Sequence, residues 1–397
     1  MEPSGRLKNF LTNAIIAFMS LLLAFGAAEW ILRLVNPPAV TEDPILGNVI
    51  RPGGDYDQSG FRNAEVLTEA TVVAIGDSQT QGNNATREQA WPQVLGVIAT
   101  TSVYQMALGG YGPVQYDYLT DKAVLLYPKI VIAGFYFGND LSDAYRLAYN
   151  YDYWKDLRSN NFVIATSSAS STEAIDYRTL LQTGLPPDSL PFKIYQVRLW
   201  IRAHSLVYAK LGDASRALRE RIGVAKTKDE KLTQIADYAA EHPDLIFNVN
   251  EPGIETVLSP AYRIETVSFS EPTTKEGWRI AQDRFRDMKR KLDEKQVRFL
   301  LLVIPTKEKV YLEHMKHKGG KIPDVFNLYD RNETELEVAT KDFCVKEGID
   351  CIFALPAMAA ALDRGEAIYG KTMDGHPLPA GYRVIAEAVS VAQVSVR

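Results

Sequence analysis

Cysteine and histidine are scarce in this chain. Only two cysteines and five histidines occur among the 397 residues. Two cysteines are too few for a disulfide framework or a cysteine-rich zinc site. Cys344 and Cys351 leave two interpretations open: one disulfide in an exported protein, or small buried residues that do not pair.

A strong charge of either sign is also missing, since the formal net charge is -5 at pH 7. The basic residues are scattered, and no stripe of them is interleaved with aromatic side chains, as is typical of nucleic-acid binding. No glycine-rich loop carries the Lys-Ser/Thr pair that cradles a nucleotide phosphate. The sequence therefore predicts no nucleic-acid partner and no cofactor.

The histidines do not suggest a metal site. His314 and His317 have a spacing that can hold a metal on a helix, but they are predicted to lie in a lysine-rich loop without a cysteine or carboxylate cluster to complete the ligands. His204 falls in an amphipathic helical stretch, and His242 precedes a proline. The remaining one, His376, lies beside Asp374 and is the best candidate for a general base.

One long apolar run lies near the N-terminus. Residues 10–28 carry no charge and follow Arg6 and Lys8. The run is close to the ~20 residues that cross a bilayer, and its preceding positive flank predicts that the following residues lie outside the cytoplasm. An uncleaved anchor and a cleavable signal peptide both fit, because small residues at 26–28 offer a cleavage site. The apolar residues that continue to Val35 favour the anchor.

Short apolar runs and helical patterns alternate through the rest of the chain. The apolar runs predict five parallel strands at 72–76, 103–108, 130–137, 297–304 and 349–353. Helical patterns lie between and after them, at 114–126, 279–295 and 381–392. This alternation is typical of an α/β fold, in which functional residues collect beyond the carboxyl ends of the strands.

The first predicted strand leads directly into Gly76-Asp77-Ser78-Gln79-Thr80-Gln81-Gly82. Ser78 is thereby placed at the end of a buried strand, where a hydroxyl nucleophile could act. A serine at a strand-to-helix turn can also be a helix cap. The Gly-x-Ser-x-Gly turn of the α/β-hydrolases does not fit, because Thr80 occupies the place of its second glycine.

Three later segments supply what a serine nucleophile needs. Gly109-Gly110 ends the second strand with a turn whose backbone N–H groups could face a developing oxyanion. Gly138-Asn139-Asp140 follows the third strand, and the Asn139 amide could donate another hydrogen bond. Asp374-Gly375-His376 provides a base with a carboxylate beside it. Taken singly, each of these segments also fits a plain turn.

These four segments resemble the blocks of the SGNH (GDSL-type) serine hydrolase superfamily. Ser78, Gly110, Asn139 and His376 match the four residues after which it is named. The resemblance implies a flavodoxin-like, three-layer α/β/α fold. It also implies an oxyanion hole made by the Ser78 and Gly110 N–H groups and the Asn139 side chain, with His376 as base. The matching blocks cover residues 71–145 and roughly 278–397, about half of the chain.

More narrowly, the chain is similar to a membrane-anchored bacterial branch that includes relatives of the alginate O-acetylation proteins. Residues 57–63 and 304–311 support this resemblance. Most of the superfamily places the acid three residues before the histidine, where this chain has Met373. Asp374 lies two residues before, as in the Asp-x-His pattern of the alginate-type proteins, and is predicted to orient His376. Asp77 and Asp140 are expected near the site as turn and hydrogen-bonding residues, with a direct role of Asp140 left open.

These landmarks predict five regions. Residues 1–38 form the cytoplasmic start and the transmembrane anchor, 39–70 an irregular stalk rich in proline and glycine, and 71–145 the first part of the hydrolase domain. Residues 146–274 are too long for a loop and are predicted to form an inserted, mostly helical cap. Residues 275–397 complete the domain. The aromatic start of the insertion suits either sugar stacking or ordinary packing.

Three functions remain open. The first is an envelope serine esterase or O-acyltransferase that acts on O-acyl, above all O-acetyl, esters of polysaccharide through an acyl-Ser78 intermediate. The second is a broad carboxylesterase or lipase, and the third is a scaffold without catalysis in a polysaccharide assembly complex. The expected partners are the membrane, an acylated glycan or other ester, and the polysaccharide machinery. The resemblance implies a single-pass bacterial inner-membrane protein with a periplasmic domain, or a secreted one after signal cleavage.

Overall fold

The structure is a computed structural model that describes residues 5–35, 39–160, 162, 190–223, 240, 243 and 245–394. By the clustering of contacts the chain forms two compact units. The first contains residues 1–39 and 175–234, and the second contains residues 40–174 and 235–397. The candidate site lies entirely in the second unit, which we call the sheet unit; the first is called the anchor unit.

A five-stranded parallel sheet organises the sheet unit. Its strands, in spatial order, are β4 (Val103–Ala107), β3 (Val72–Gly76), β5 (Ile130–Tyr136), β8 (Arg298–Ile304) and β9 (Asp350–Phe353). β3 is buried along its whole length, which explains its continuous apolar sequence. Two antiparallel hairpins lie outside this sheet: β1 (Val40–Asp43) with β2 (Gly47–Ile50), and β6 (Phe247–Val249) with β7 (Thr256–Leu258).

Helices connect and cover the strands. In the sheet unit they are α2 (Ser78–Gln81), α3 (Trp91–Ile98), α4 (Pro113–Ala123), α5 (Asp140–Asn150), α8 (Pro260–Arg263), α9 (Pro272–Glu294), α10 (Lys307–His317), α11 (Val325–Glu347), α12 (Leu355–Asp363) and α13 (Pro379–Val394). The chain moves outward from β3 to β4 and then back to β5, so right-handed crossovers place α3 and α4 on opposite faces. The contacts agree, since α4 packs against α9, and α3 packs against α13.

The anchor unit contains α1 (Gly5–Val35), α6 (Leu190–His204) and α7 (Leu206–Arg221). Residues Asn9–Val35 of α1 form a helix long and apolar enough to cross a membrane, and its apolar side chains are exposed. This agrees with the predicted apolar helix. A membrane anchor and a signal sequence share this property.

The five predicted strands are confirmed to within one residue at each end. The predicted helical patterns correspond to α4 with a short 3-10 helix (Val124–Leu126), to α9, and to α13. α9 begins earlier than its pattern, at Pro272, because a proline at the first helical position fits the helix start.

The region predicted as an irregular stalk, residues 39–70, differs from that expectation. It contains the β1–β2 hairpin and belongs to the sheet unit from residue 40 onward. The Asp57 carboxylate accepts hydrogen bonds from the Asn63 side chain, at 2.9 Å, and from the Tyr104 hydroxyl, at 2.7 Å. These buried polar contacts tie the segment to β4, although its proline and glycine content is typical of a linker.

Residues 146–274, predicted as an inserted cap, are divided between the two units. α6 and α7 belong to the anchor unit, whereas β6, β7 and α8 belong to the sheet unit. Most of residues 163–189 and 224–242 lie outside the described residues. A covering role of this region over the site stays a prediction.

Cys344 and Cys351 are joined by a disulfide that connects the end of α11 to β9. Their Cα atoms are 6.2 Å apart, which lies within the usual range for a disulfide. The structure thus selects the paired interpretation of the two cysteines.

Candidate functional site

The site lies where the strand order of the sheet reverses. β3 has β4 on one side and β5 on the other, so connections leave the carboxyl ends of β3 and β5 toward opposite faces. A crevice forms at such a point in open α/β sheets. Ser78 follows β3, and Asn139 follows β5.

Ser78 is the first residue of α2, a single helical turn. Asp77 caps this turn, because its Oδ1 accepts a hydrogen bond from the Gln79 N–H at 2.8 Å. The turn lies tight against the sheet: a Cβ on Gly76 would lie 2.0 Å from Thr80 Oγ1, and one on Gly134 would lie 2.4 Å from the same atom. Glycine at these two strand positions is therefore required to hold Ser78 at the sheet edge.

Ser78, His376 and Asp374 form a continuous hydrogen-bonded relay. The distance from Ser78 Oγ to His376 Nε2 is 2.9 Å, and the distance from His376 Nδ1 to Asp374 Oδ1 is 2.6 Å. Because Nδ1 donates to a carboxylate, Nε2 carries the lone pair that can accept the serine proton. The histidine side chain is 26 % exposed, so the relay opens to solvent on one side.

The Asp374 carboxylate is held from two directions. Its second oxygen, Oδ2, accepts a hydrogen bond from the Asn84 side-chain amide at 2.8 Å. Burial raises the pKa of Asp374, but the hydrogen bonds from His376 and Asn84 more than offset this and hold the pKa well below its usual range. The carboxylate therefore stays ionised wherever the relay is formed.

A buried lysine fixes the loop that carries Asp374. Lys307 has no exposed surface, and its ammonium donates to the carbonyl oxygens of Val257, Thr372 and Asp374, at 3.2, 2.5 and 3.4 Å. Burial lowers the pKa of Lys307 to about 8. The ammonium links the β6–β7 hairpin to the loop before His376, because it donates to Val257 of β7 and to Thr372 and Asp374 of that loop.

The glycine turn after β4 lies beside the serine. The Gly109 N–H donates to Gln81 Oε1 at 2.9 Å, and a Cβ on Gly109 would lie 3.5 Å from Ser78 Cβ. Gly110 adopts a φ of +84° with open space around its Cβ position, and its N–H has no partner within the described part of the chain. The Gly110 N–H is therefore available to a ligand.

Asn139 is oriented by Asp143. The Asn139 Nδ2 donates to Asp143 Oδ2 at 2.6 Å, and the same carboxylate bonds Arg146. An amide nitrogen has two hydrogens, so Asn139 keeps one for a ligand. Its Oδ1 is buried without a partner among the described residues.

Asp77 and Asp140 lie beneath the site. Asp77 Oδ2 is 3.3 Å from Ser78 Oγ, and burial raises the pKa of Asp77 to about 6. Burial, and then the charge of Asp77, raise the pKa of Asp140 well above its usual value; Asp140 Oδ2 accepts from the Tyr116 hydroxyl and the Tyr136 N–H at 3.0 Å. Both carboxyls thus have hydrogen-bond partners in the structure.

Arg62, in the segment predicted as a stalk, supports the serine turn. Its guanidinium donates to the carbonyl oxygens of Gln81, Gly82 and Ala85, at 3.1, 2.8 and 2.9 Å. Carbonyls at the end of α2 would otherwise lack partners. The sequence block at 57–63 therefore belongs to the scaffold of the site.

His314 and His317 lie at the end of the helix α10 and not in the predicted loop, and neither contacts Ser78 or Asp374. His314 Nδ1 and His317 Nδ1 contact the two oxygens of Asp363, at 2.7 and 2.8 Å, and His314 Nε2 is 3.3 Å from Glu251. Lys318 also pairs with Glu251. Among the residues that the structure describes, no group of three or more such side chains is arranged to hold a metal ion.

Sequence reasoning missed the residues that orient the others. These are Gln81, Asn84, Asp143 and Lys307. Asn84 and Asp374 are 290 positions apart, so no local pattern links them. Their sequence signal was that they lie inside a recognised block or, for Asn84, two residues after one.

Comparison with known proteins finds distant similarity only. No family model matches the chain, and no curated protein matches it. One solved structure, described as a lipolytic protein of the G-D-S-L family from Desulfitobacterium hafniense DCB-2, is 14% identical over 81% of this chain and 98% of its own, with a TM-score of 0.33. Another, described as an acylhydrolase from Bacteroides fragilis NCTC 9343, is 11% identical over 82% and 88%, with a TM-score of 0.32. At these values the similarities carry no argument about activity.

Proposed function

We propose that the protein is a serine esterase or O-acyltransferase of the SGNH type, in which Ser78 carries the acyl group. The observation that supports the proposal is the relay from Ser78 through His376 to Asp374, with distances of 2.9 and 2.6 Å. A capping serine needs no histidine at its hydroxyl, and a scaffold needs no oriented base.

The first half of the reaction follows from this arrangement. His376 Nε2 takes the proton from Ser78 Oγ while Oγ attacks the ester carbonyl carbon. The carbonyl oxygen becomes negatively charged, and the N–H groups of Ser78 and Gly110 with the Asn139 amide stabilise it. His376 then gives its proton to the leaving alcohol oxygen, the C–O bond breaks, and acyl-Ser78 remains.

The second half uses the same groups in reverse. His376 removes a proton from the acceptor hydroxyl, whose oxygen attacks the acyl carbon, and Ser78 leaves with the proton from His376. The acceptor is water in an esterase and a sugar hydroxyl in a transferase. The ionised Asp374 stabilises the imidazolium in both halves.

The proposed substrate is an O-acetyl ester of a polysaccharide of the cell envelope, and this proposal requires that the sheet unit lies outside the cytoplasm. Two features favour that location: the apolar helix Asn9–Val35 and the Cys344–Cys351 disulfide, because disulfides persist in oxidising compartments. We propose that α1 is retained as an anchor in the bacterial inner membrane and that the sheet unit faces the periplasm.

Incubation of the detergent-solubilised full chain with a chromogenic acetate ester tests the activity. The wild type should release the chromophore, and Ser78→Ala should abolish release. Ser102→Ala is the matched control, because the Ser102 hydroxyl contacts Thr71 at the start of the sheet unit's first buried strand and not the relay. Turnover that survives Ser78→Ala would rule out the serine mechanism.

A second assay separates hydrolysis from transfer. An oligosaccharide acceptor is added to the same reaction, and free acetate and acetylated sugar are both measured. Acetylated sugar that appears at the expense of acetate identifies a transferase. Acetate as the sole product, at every acceptor concentration, identifies an esterase.

A further inference from the structure

The junction between α6 and α7 is fastened to one end of the apolar helix α1. Glu29 of α1 accepts hydrogen bonds from the N–H groups of Leu206 and Val207, both at 3.0 Å, and from the Ser205 hydroxyl at 2.9 Å. The Glu29 side chain is 17 % exposed. A carboxylate at the first turn of a helix satisfies otherwise unpaired N–H groups and is favoured by the helix dipole.

Arg33, one turn after Glu29, makes the complementary contact with α6. Its guanidinium donates to the carbonyl oxygen of His204, the last residue of α6, at 2.8 Å, and pairs with Glu29 at 2.9 Å. A cation at a helix C-terminus satisfies a free carbonyl. One turn of α1 thus holds the end of α6 and the start of α7 together.

The position of this turn along α1 sets the depth of the junction. Residues 10–28 carry no charge, and at 1.5 Å per residue they span about 28 Å, close to the ~30 Å of the hydrocarbon core. Glu29 and Arg33 follow directly. When α1 crosses a bilayer, the α6–α7 junction therefore lies at the level of the lipid headgroups.

Both helices expose apolar side chains, in stripes. On α6, Leu190, Ile194 and Val197 lie on one face and are 71, 45 and 58 % exposed. From α7 onward, Leu211, Leu218 and Ile222 have spacings of seven and four residues, which also define one face, and are 63, 59 and 60 % exposed. Trp200 is 63 % exposed, and tryptophan is enriched at membrane interfaces.

Basic residues border these stripes. Arg202 and Arg216 share Asp213. The others have no carboxylate partner among the residues that the structure describes: Lys193, Arg198, Lys210, Arg219 and Arg221. Apolar stripes flanked by lysine and arginine are typical of helices that lie in the bilayer interface and attract anionic lipids.

From these contacts we propose that α6 and α7 form a membrane-surface element that binds anionic phospholipid beside the span. The inference rests on the proposal that α1 remains in the membrane, and it is independent of the reaction at Ser78. Glu29 and Arg33 fix the element to the span, the apolar stripes enter the interface, and the basic residues contact lipid phosphates.

Depth measurement on the full chain tests the proposal. The Leu218→Cys and Leu211→Cys variants are labelled with a nitroxide. They are then reconstituted into vesicles of phosphatidylcholine with about 30 % phosphatidylglycerol, which is the anionic lipid. Accessibility to oxygen and to a water-soluble nickel complex is then compared. Leu125→Cys is the matched control, because Leu125 is 69 % exposed in the sheet unit.

The labels at 211 and 218 should be shielded from nickel and accessible to oxygen, whereas the label at 125 should remain accessible to nickel. Replacing Lys193, Arg198, Lys210 and Arg221 by glutamine should lower the ratio of shielded to exposed label by about fivefold per charge, or about 1 kcal/mol each. Phosphatidylcholine alone should weaken the shielding similarly. Unchanged far-ultraviolet circular dichroism of these variants, which does not depend on the reaction at Ser78, shows that they fold.

Three results would overturn the proposal. The labels at 211 and 218 could be as accessible to nickel as the label at 125. The labels at 211 and 218 could be shielded only at high protein density, with spin–spin broadening that disappears on dilution with unlabelled protein. That result would show that the apolar stripes contact a second copy of the chain. Intact mass could show that the mature chain lacks α1. None of these results depends on whether Ser78 is acylated, so the two proposals fail separately.

Discussion

The two units distribute polar and apolar groups in opposite ways. In the sheet unit the strands and helix faces are apolar and buried, and the charges of the site face a partly open crevice. In the anchor unit α1, α6 and α7 expose leucine, isoleucine and tryptophan, while Glu29 is bonded to neighbouring helices. The difference is what we expect of two units with different surroundings: water and the proposed ester substrate for one, and the proposed lipid for the other.

The largest effect after loss of the serine itself is expected from Asp374→Asn. The carboxylate accepts from His376 Nδ1 and from Asn84 Nδ2, whereas an amide has only one accepting oxygen. An NH2 group facing Nδ1 favours the wrong tautomer of His376, so kcat should fall on the order of 1,000- to 10,000-fold. Acetate-ester kinetics measure the loss. Asp363→Asn is the matched control, because Asp363 also bonds histidines but lies away from Ser78. A rate within about threefold of the wild type would remove Asp374 from the relay.

Asn139→Ala should have the next largest effect. Removal of one oxyanion donor typically lowers kcat by about 100- to 1000-fold with little change in KM. Asn327→Ala, an exposed asparagine of α11, is the control. A rise in KM at constant kcat would assign Asn139 to substrate binding and not to the transition state.

Asp374 and Asn139 illustrate which features of the site the sequence predicts and which it does not. The strands, Ser78, Asn139 and His376 lie in local patterns that alternate apolar runs with turns, and the structure brings Ser78 and His376 into contact. Asn84 and Lys307 act on Asp374 through contacts between positions far apart in the chain, which no local pattern records. The stalk predicted at residues 39–70 differs from the structure for the same reason, because its proline and glycine content is a local pattern but the Asp57–Tyr104 contact is not.

Asp77 should leave a signature in the pH dependence of stability. Its pKa is raised from 3.8 to about 6, so between these values the folded state binds more protons than the unfolded state. The contribution of Asp77 to stability therefore falls as pH rises through this window, with a cost of about 3 kcal/mol. Asp140, whose pKa is also raised, acts in the same direction. Asp374, whose pKa is lowered, acts oppositely and at lower pH.

Urea unfolding of the wild type and Asp77→Asn at pH 4, 5, 6 and 7 measures this effect. The variant should gain stability relative to the wild type as the pH rises from 4 to 6. The comparison between variants cancels the contribution of Asp374. If the free energies of unfolding of the two proteins changed in parallel from pH 4 to pH 6, Asp77 would ionise as an ordinary carboxyl.

The smallest effect is expected in the anchor unit. Glu29→Gln removes the charge that holds the α6–α7 junction. Turnover of a soluble acetate ester should nevertheless change by less than about twofold, because the hydrogen-bond partners of Glu29 among the described residues belong to the anchor unit. The same variant should increase proteolysis near residues 205–207 in vesicles. A large fall in ester turnover would show that the units depend on each other for activity.

Covalent labelling of the full chain with a fluorophosphonate tests the central claim, that Ser78 carries the acyl group, most directly. Intact mass and peptide mapping should find one adduct, on Ser78. Ser78→Ala should give none, and His376→Ala should label far more slowly. An adduct on another residue, or labelling of His376→Ala at the wild-type rate, would contradict the account.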